Sequence, residues 1–547
     1  MTTYGAKTPA SGKEGRTLQG SPARNAWLTR RGAMAGAATL AVAGCGRAPF
    51  EATQLTVAMP TFAEGTFLPW TGGGQRKAFL DAMYDYLCII DPATGEPGPG
   101  LASDWSVTSD GLEWTFRIRP GVQFQRGYGE VASTDAAFSI RQIIRPTARA
   151  GPSSPLRRLI RDIATPDPRI LVIRLTRPDP ELAKGYLANA QQVGIVCARH
   201  VAEAGERAAS LNPVGSGPYM LDFFRRDSEI RLRIRTDSEN IWRPRPAFET
   251  LVFRAVPEVS TRVAMMKTGE ADIAPISYDD IGDVERTGLA VRSIPQSWSP
   301  VIRLGGLVQE GGRFEPKNPW ADVRVRQAMN YAIDKNAIIR RIFHGQGRIA
   351  ASDTPVEAWA SLAPYDYDPA RAKALLAEAG YPKGFPVTLK AFATTPGAEL
   401  PVVAQAVALY WRAVGIEVST ELIDWTSLRS AWTSGAARSY VWTHRGFPFT
   451  SAQNGLEAGF DARSVFSAFS TPELQAMLDA HANELDPGKR RAKLTEIGVY
   501  LRDQAANVFI AHIDEPYAAS RKVGEWTITS SNALNFEGIQ PASGTAA

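Results

Sequence analysis

The chain has 547 residues, with 61 Lys/Arg against 56 Asp/Glu and a 44% hydrophobic content. Six of those basic residues and one acidic residue fall within positions 1–44, so the rest of the chain carries 55 of each sign. That balance excludes a basic nucleic-acid footprint, and what remains is globular material for two or three domains.

Positions 1–28 read as disordered. Arg30 and Arg31 then precede an uncharged run of small and apolar residues, Gly32 to Gly44, followed by Cys45. A bilayer-spanning helix needs about 20 residues, so this run is too short to be one. A positive segment, a short apolar run and small residues before a cleavage point describe a removable export signal. Thr29-Arg30-Arg31 resembles the start of a twin-arginine signal. Val42-Ala43-Gly44-Cys45 resembles a lipobox, in which Cys45 becomes the lipidated first residue. Cleavage after Ala43 fits the same residues without a lipid. The expected location is the periplasm or cell envelope, with membrane attachment only through that N-terminal anchor.

Strands are expected at 53–59, at 112–118, where Leu112, Trp114, Phe116 and Ile118 alternate with polar residues, and at 170–175. Ile230, Leu232 and Ile234 alternate with arginines in the same way, and 250–256 adds a further strand. Gly and Pro cluster at 92–100 and 146–155, marking loops. From about 368 onward helices and strands alternate. Asp368-Pro369 starts a helix that Gly380 ends, and 386–392 follows as a strand. Val402, Val403, Ala406, Val407, Tyr410 and Val414 share one helical face before a strand at 416–422. Thr471-Pro472 and Asp486-Pro487 are two further capped starts, the second leading to a helix with Leu494, Ile497 and Leu501 on one side. The pattern is α/β.

Catalytic templates are absent. No Gly-x-x-x-x-Gly-Lys-Ser/Thr phosphate loop and no His-Glu-x-x-His occurs, and neither 215–217 nor 151–155 completes a nucleophile elbow. The five histidines are dispersed without metal-ligand spacing, so no metal, cofactor or catalytic residue is expected. Cys88 and Cys197 each lie in an apolar stretch and read either as buried thiols or as a disulfide. The chain is instead rich in aromatics, with 13 tryptophans. Trp442-Thr-His-Arg-Gly-Phe-Pro-Phe449 sets large rings beside Arg445 in what reads as a loop broken by Gly446 and Pro448, a composition suited to a binding wall.

Five segments resemble the family 5 extracellular solute-binding proteins of ABC importers, which include oligopeptide, dipeptide and nickel binders. They are Pro99 to Trp105 with Asp110 to Phe124, Asn212-Pro-Val-Gly-Ser-Gly-Pro-Tyr219, Gly269-Glu-Ala-Asp272, Asp322 to Lys335, and Tyr367 to Tyr381. These identify a scaffold, with Asp334 and Asp368 as helix caps, Gly215 and Gly217 in a tight turn, and Trp114 and Phe116 in the core. The resemblance implies a two-lobed α/β periplasmic-binding-protein fold with an inserted subdomain and a hinge. Lobe I would comprise 50–85, 191–300 and 508–547, with the subdomain at 86–190, and lobe II would be 301–507. The hinge would cross near 298–306 and 507–513.

The implied function is capture of a peptide-like or other small solute between the lobes and delivery to the permease subunits of an ABC importer, as a monomer without enzymatic activity. A secreted hydrolase, or a sensor or chaperone on the same fold, is the alternative. Candidate ligand-binding residues are Trp425, Trp442, His444, Arg445, Phe447, Phe449, Trp298, Tyr278 and Phe67. Peptide-binding members carry an acid after the corresponding Trp/Gly-rich strand, whereas 442–454 holds no Asp or Glu and offers Arg445. The expectation is therefore an aromatic and cationic wall suited to a carboxylate, a phosphate or a neutral stacked ligand. Asp424 or Glu457 supplying the missing charge is the competing reading.

Overall fold

The structure is a computed structural model. It describes residues 53–72, 76–189, 193–237, 242–309, 318–394, 397–446, 451–464, 466–528 and 535–543, with the side chains of Trp425 and Thr433 left aside. The signal segment and Cys45 lie outside the described residues.

A twelve-stranded mixed sheet runs through the molecule. Its path starts at Glu417–Leu422 and passes through Pro386–Ala391, Val441–Gly446, Ala290–Leu304 and Ala511–Ala519. It continues through Ile273–Pro275, Gln54–Met59, Thr250–Ala255 and Glu229–Ile234 to Tyr219–Arg225. Among the described residues two large hydrophobic cores flank it, with a smaller third cluster around Val263, Met266, Ile276 and Val284. One large core gathers residues 55–294 and 517–539, the other residues 278–513; the two are referred to below as lobe I and lobe II. The inserted subdomain is a separate antiparallel sheet ordered Ala102–Val107, Glu113–Ile118, Ile170–Leu175, Ile160–Asp167, covered by the helix Ser133–Ile144. Trp114, Phe116 and Ile118 bury one face of this small sheet, as their alternation requires.

Local signals explain the helix starts. Asp334, Asp368, Thr471 and Asp486 each accept the backbone N–H of the residue three positions on, at 2.8–3.0 Å. The helix Leu400–Ala413 turns a different face inward from the one the spacing suggested. Val402 is 50% exposed, while Leu400, Val403, Ala404, Val407, Ala408 and Trp411 are buried. Trp411 decides the rotation: its indole fills the lobe II core and donates to the Met329 carbonyl at 2.9 Å. Gly215 and Gly217 stand where the backbone passes close to residues 82–84. A Cβ at Gly215 would lie 2.0 Å from the Met83 carbonyl oxygen, so the two chains could not approach.

Cys88 and Cys197 are buried free thiols, not a disulfide. Burial pushes the Cys88 thiol up to about 12, which leaves it protonated and unreactive at neutral pH.

Candidate ligand cleft at the lobe junction

Only two strands of the large sheet continue from one core into the other. Ala290–Leu304 pairs with Ala511–Ala519 on the lobe I side and with Val441–Gly446 on the lobe II side. Its register with Ala511–Ala519 shifts between Ile294 and Trp298, and Gln296 there has φ of 50°. The irregularity is pinned rather than loose. The Gln296 N–H donates to Asp514 at 2.7 Å, Ser297 Oγ donates to Glu515 Oε2 at 2.7 Å, and Ser299 Oγ lies 2.7 Å from His512 Nδ1. A register shift of this kind bends and twists the sheet locally.

The segment expected to be a loop beside Arg445 is, over its first part, the central strand Val441–Gly446. It pairs parallel with Pro386–Ala391 and antiparallel with Ala290–Leu304. The first three residues of this central strand, Val441, Trp442 and Thr443, are all buried. Trp442 therefore packs in the lobe II core, 2% exposed, and is not a wall of an open cleft. Gly446 leaves no room for a side chain, since a Cβ there would sit 2.0 Å from the Asp353 carbonyl oxygen.

Of the other candidates, Trp298 and Phe67 are fully buried. Trp298 stands edge-on to Phe343, and Phe67 edge-on to Phe79 and Phe224. Tyr278 is buried against Phe343 in the same way. Phe67 lies in the first core and Trp298 and Tyr278 in the second. Phe447, Phe449 and the Trp425 side chain lie outside the described residues.

His444 and Arg445 are half-buried where the central strand reaches the junction. Burial, with Arg303 and Arg445 adding repulsion, holds the His444 imidazole well below its ordinary value, so it is neutral. Burial brings the Arg445 guanidinium down to about 10, and Glu515 opposes that shift. Glu515 is itself raised by burial, with Glu399 adding to the rise and Ser297 and Arg445 opposing it. Glu399, at the N-cap of Leu400–Ala413, is raised by burial and by Asp279. The expected wall of aromatics and one cation thus has an acidic neighbour: Glu515, on the strand Ala511–Ala519, acts on Arg445, and Glu399 acts in turn on Glu515.

The other acids considered are engaged elsewhere. Asp424 caps the helix Trp425–Ser434 through Ser427, and Glu457 pairs with Arg177. Glu515 and Glu399 had no place among the sequence candidates. The signal available was Asp514-Glu515 inside an otherwise apolar run, a pattern a strand tolerates only where it crosses a polar junction.

Similarity to known proteins agrees with this architecture. Residues 96–466 match the model of bacterial extracellular solute-binding proteins, family 5, middle region. The chain is 27% identical over 502 residues to the dipeptide-binding protein of Escherichia coli K12, covering 86% of this chain and 91% of that protein. It is 26% identical over 472 residues to heme-binding protein A of Haemophilus influenzae, covering 80% and 83%. In structure it resembles the periplasmic binding protein DppA of Helicobacter pylori in complex with the peptide STSA. That match has a TM-score of 0.73 and 20% identity, over 90% of this chain and 98% of the other. The chain belongs to the family 5 bacterial extracellular solute-binding proteins.

Proposed function

We propose that this protein captures a short peptide or a peptide-like zwitterion between its lobes and hands it to the permease of an ABC importer. The observation that carries this reading is that Arg445 and Glu515, opposite charges that act on one another, sit on the two strands paired with Ala290–Leu304 at the crossing. A guanidinium is suited to a ligand carboxylate, and adjacent carboxyls to an ammonium, each charge-assisted bond contributing roughly 1.5–3 kcal/mol. Binding between lobes stabilises the closed form in proportion to the ligand's preference for it. The relatives named for dipeptide and peptide binding support the ligand class. No catalytic constellation is needed for such a role.

Titration calorimetry against free, N-acetylated and C-amidated dipeptides tests this. Micromolar binding of the free forms, weakened at least tenfold by either block and by Arg445→Ala, is expected. Equal binding of blocked and free peptides, or indifference to Arg445→Ala, overturns it.

The N-terminal segment completes the proposal: export through the twin-arginine route, and lipidation at Cys45 that holds the binder beside its permease as a monomer. Cys45→Ala should release the protein from the membrane fraction, and an unchanged membrane fraction sinks the anchor.

A further inference from the structure

The hinge strands are not the only connection between the lobes. The segment 177–185 of the inserted subdomain meets one helix of lobe II, Ala452–Phe460, at three successive points. Glu181 accepts from the hydroxyl of Ser451, the residue that caps this helix by accepting the Asn454 N–H at 3.2 Å. Asn454 Nδ2 donates to the Gly185 carbonyl at 2.8 Å. Arg177 pairs with Glu457. Positions 451, 454 and 457 recur every three residues and share one helix face, so a short stretch of the subdomain grips them together.

The grip is tied into lobe II behind that face. Glu457 Oε1 also accepts from Gln453 at 2.7 Å, and Gln453 Oε1 bonds the buried His481 at 2.5 Å. Glu181 reaches past the helix to Arg490 at 3.3 Å, in the helix Pro487–Asp503. The junction is nonetheless not built like a core. A cavity of about 560 Å³ lies on one side, between Glu181 and Lys184 of the subdomain and Val356 and His481 of lobe II. Another of about 310 Å³ lies on the other side, between Arg158 and Arg177 and the facing Asp461 and Arg463. Polar bridges flanked by open space can be made and broken without exposing apolar surface, unlike a packed interior.

We propose that Arg177, Glu181 and Gly185 form a closure clamp on helix Ala452–Phe460, so that these positioning residues, apart from Arg445 and Glu515, set the balance between open and closed lobes. A hinged molecule with this second attachment opens only by breaking it. Apparent affinity falls with the fraction of molecules in the closed, competent form, so the clamp raises affinity without touching the solute. The inference rests on the proposed function only in taking closure as the step that retains the ligand.

The test uses the full chain without any ligand, so its outcome is independent of the peptide titration. Hydrogen exchange of segment 451–460 and small-angle scattering are compared for the native protein, Arg177→Ala, Glu181→Gln, and the charge-swapped double variant Arg177→Glu with Glu457→Arg. The single variants should speed exchange in 451–460 by about tenfold, equivalent to about 1.4 kcal/mol. They should also enlarge the radius of gyration, while exchange in the strand Thr250–Ala255 stays unchanged. The swapped pair should restore both readouts toward native values. Native-like exchange and scattering in the single variants, or no restoration in the swap, overturns the clamp. A rise spread evenly over both cores overturns it too, since that reports general destabilisation.

Discussion

Ser299 Oγ and His512 Nδ1 lie 2.7 Å apart, buried on the two strands that pass from one lobe to the other. The contact joins the crossing strands beside the register shift. Burial, with Arg348 adding to it, brings His512 down to about 3.

A histidine held neutral in the folded state but free to protonate when unfolded favours unfolding as pH falls. Its contribution is complete above about pH 6.5 and is lost progressively toward pH 3. His512→Gln should therefore flatten the acid side of the stability curve by roughly 2–4 kcal/mol at pH 3.5 relative to pH 7. Thermal melts of the two proteins across pH 3.5–7.5 decide the matter, and parallel curves would remove His512 from the account.

Asp179 has the opposite sign. It is 1% exposed, its Oδ2 has no partner, and burial raises its carboxyl to about 7, with Glu181 and Glu457 adding to the rise and Arg177 and the Glu181 N–H opposing it. The folded state binds this proton more tightly than the unfolded one, so stability falls as pH rises from about 4 to about 7. Asp179→Asn should stabilise the protein by roughly 1–3 kcal/mol at pH 8 and leave it nearly unchanged at pH 4. Urea midpoints at the two pH values measure it. A destabilised variant at pH 8 would refute the sign.

Arg303 and Asp353 form a buried pair at 2.9 Å, with Asp353 also accepting from Asn507 at 2.8 and 2.9 Å and Arg303 donating to the Gly459 carbonyl at 3.0 Å. Removing one partner strands a charge away from water. Arg303→Met should cost about 3–5 kcal/mol, and Arg303→Met with Asp353→Leu distinctly less than the sum of the singles. Additive losses in a double-mutant cycle would show the pair to be uncoupled.

Trp411→Ala removes the largest side chain from the inward face of Leu400–Ala413, together with its bond to Met329. A loss of about 3–5 kcal/mol follows from the cavity. Val402→Ala, on the exposed face, should change stability by about 0.5 kcal/mol or less. Equal effects at the two positions would mean the helix is rotated from the orientation described.

The sequence alone determined much of the scaffold, because its signals are local. An Asp or Thr three residues before a free N–H makes a cap wherever the chain goes, which is why 334, 368, 471 and 486 could be read directly. Period-two burial at Trp114, Phe116 and Ile118 was equally legible, and ordered motifs along the chain carried the family. Only the tertiary structure decided which aromatics were available to a ligand. Trp442, Trp298 and Phe67 look alike in sequence whether they line a cleft or fill a core, and only their packing in the folded chain buries them. The charge around Arg445 was hidden for the same reason. Glu515 acts on Arg445 only because strands from distant parts of the chain pair with Ala290–Leu304, and Coulomb forces act across space, not along the sequence.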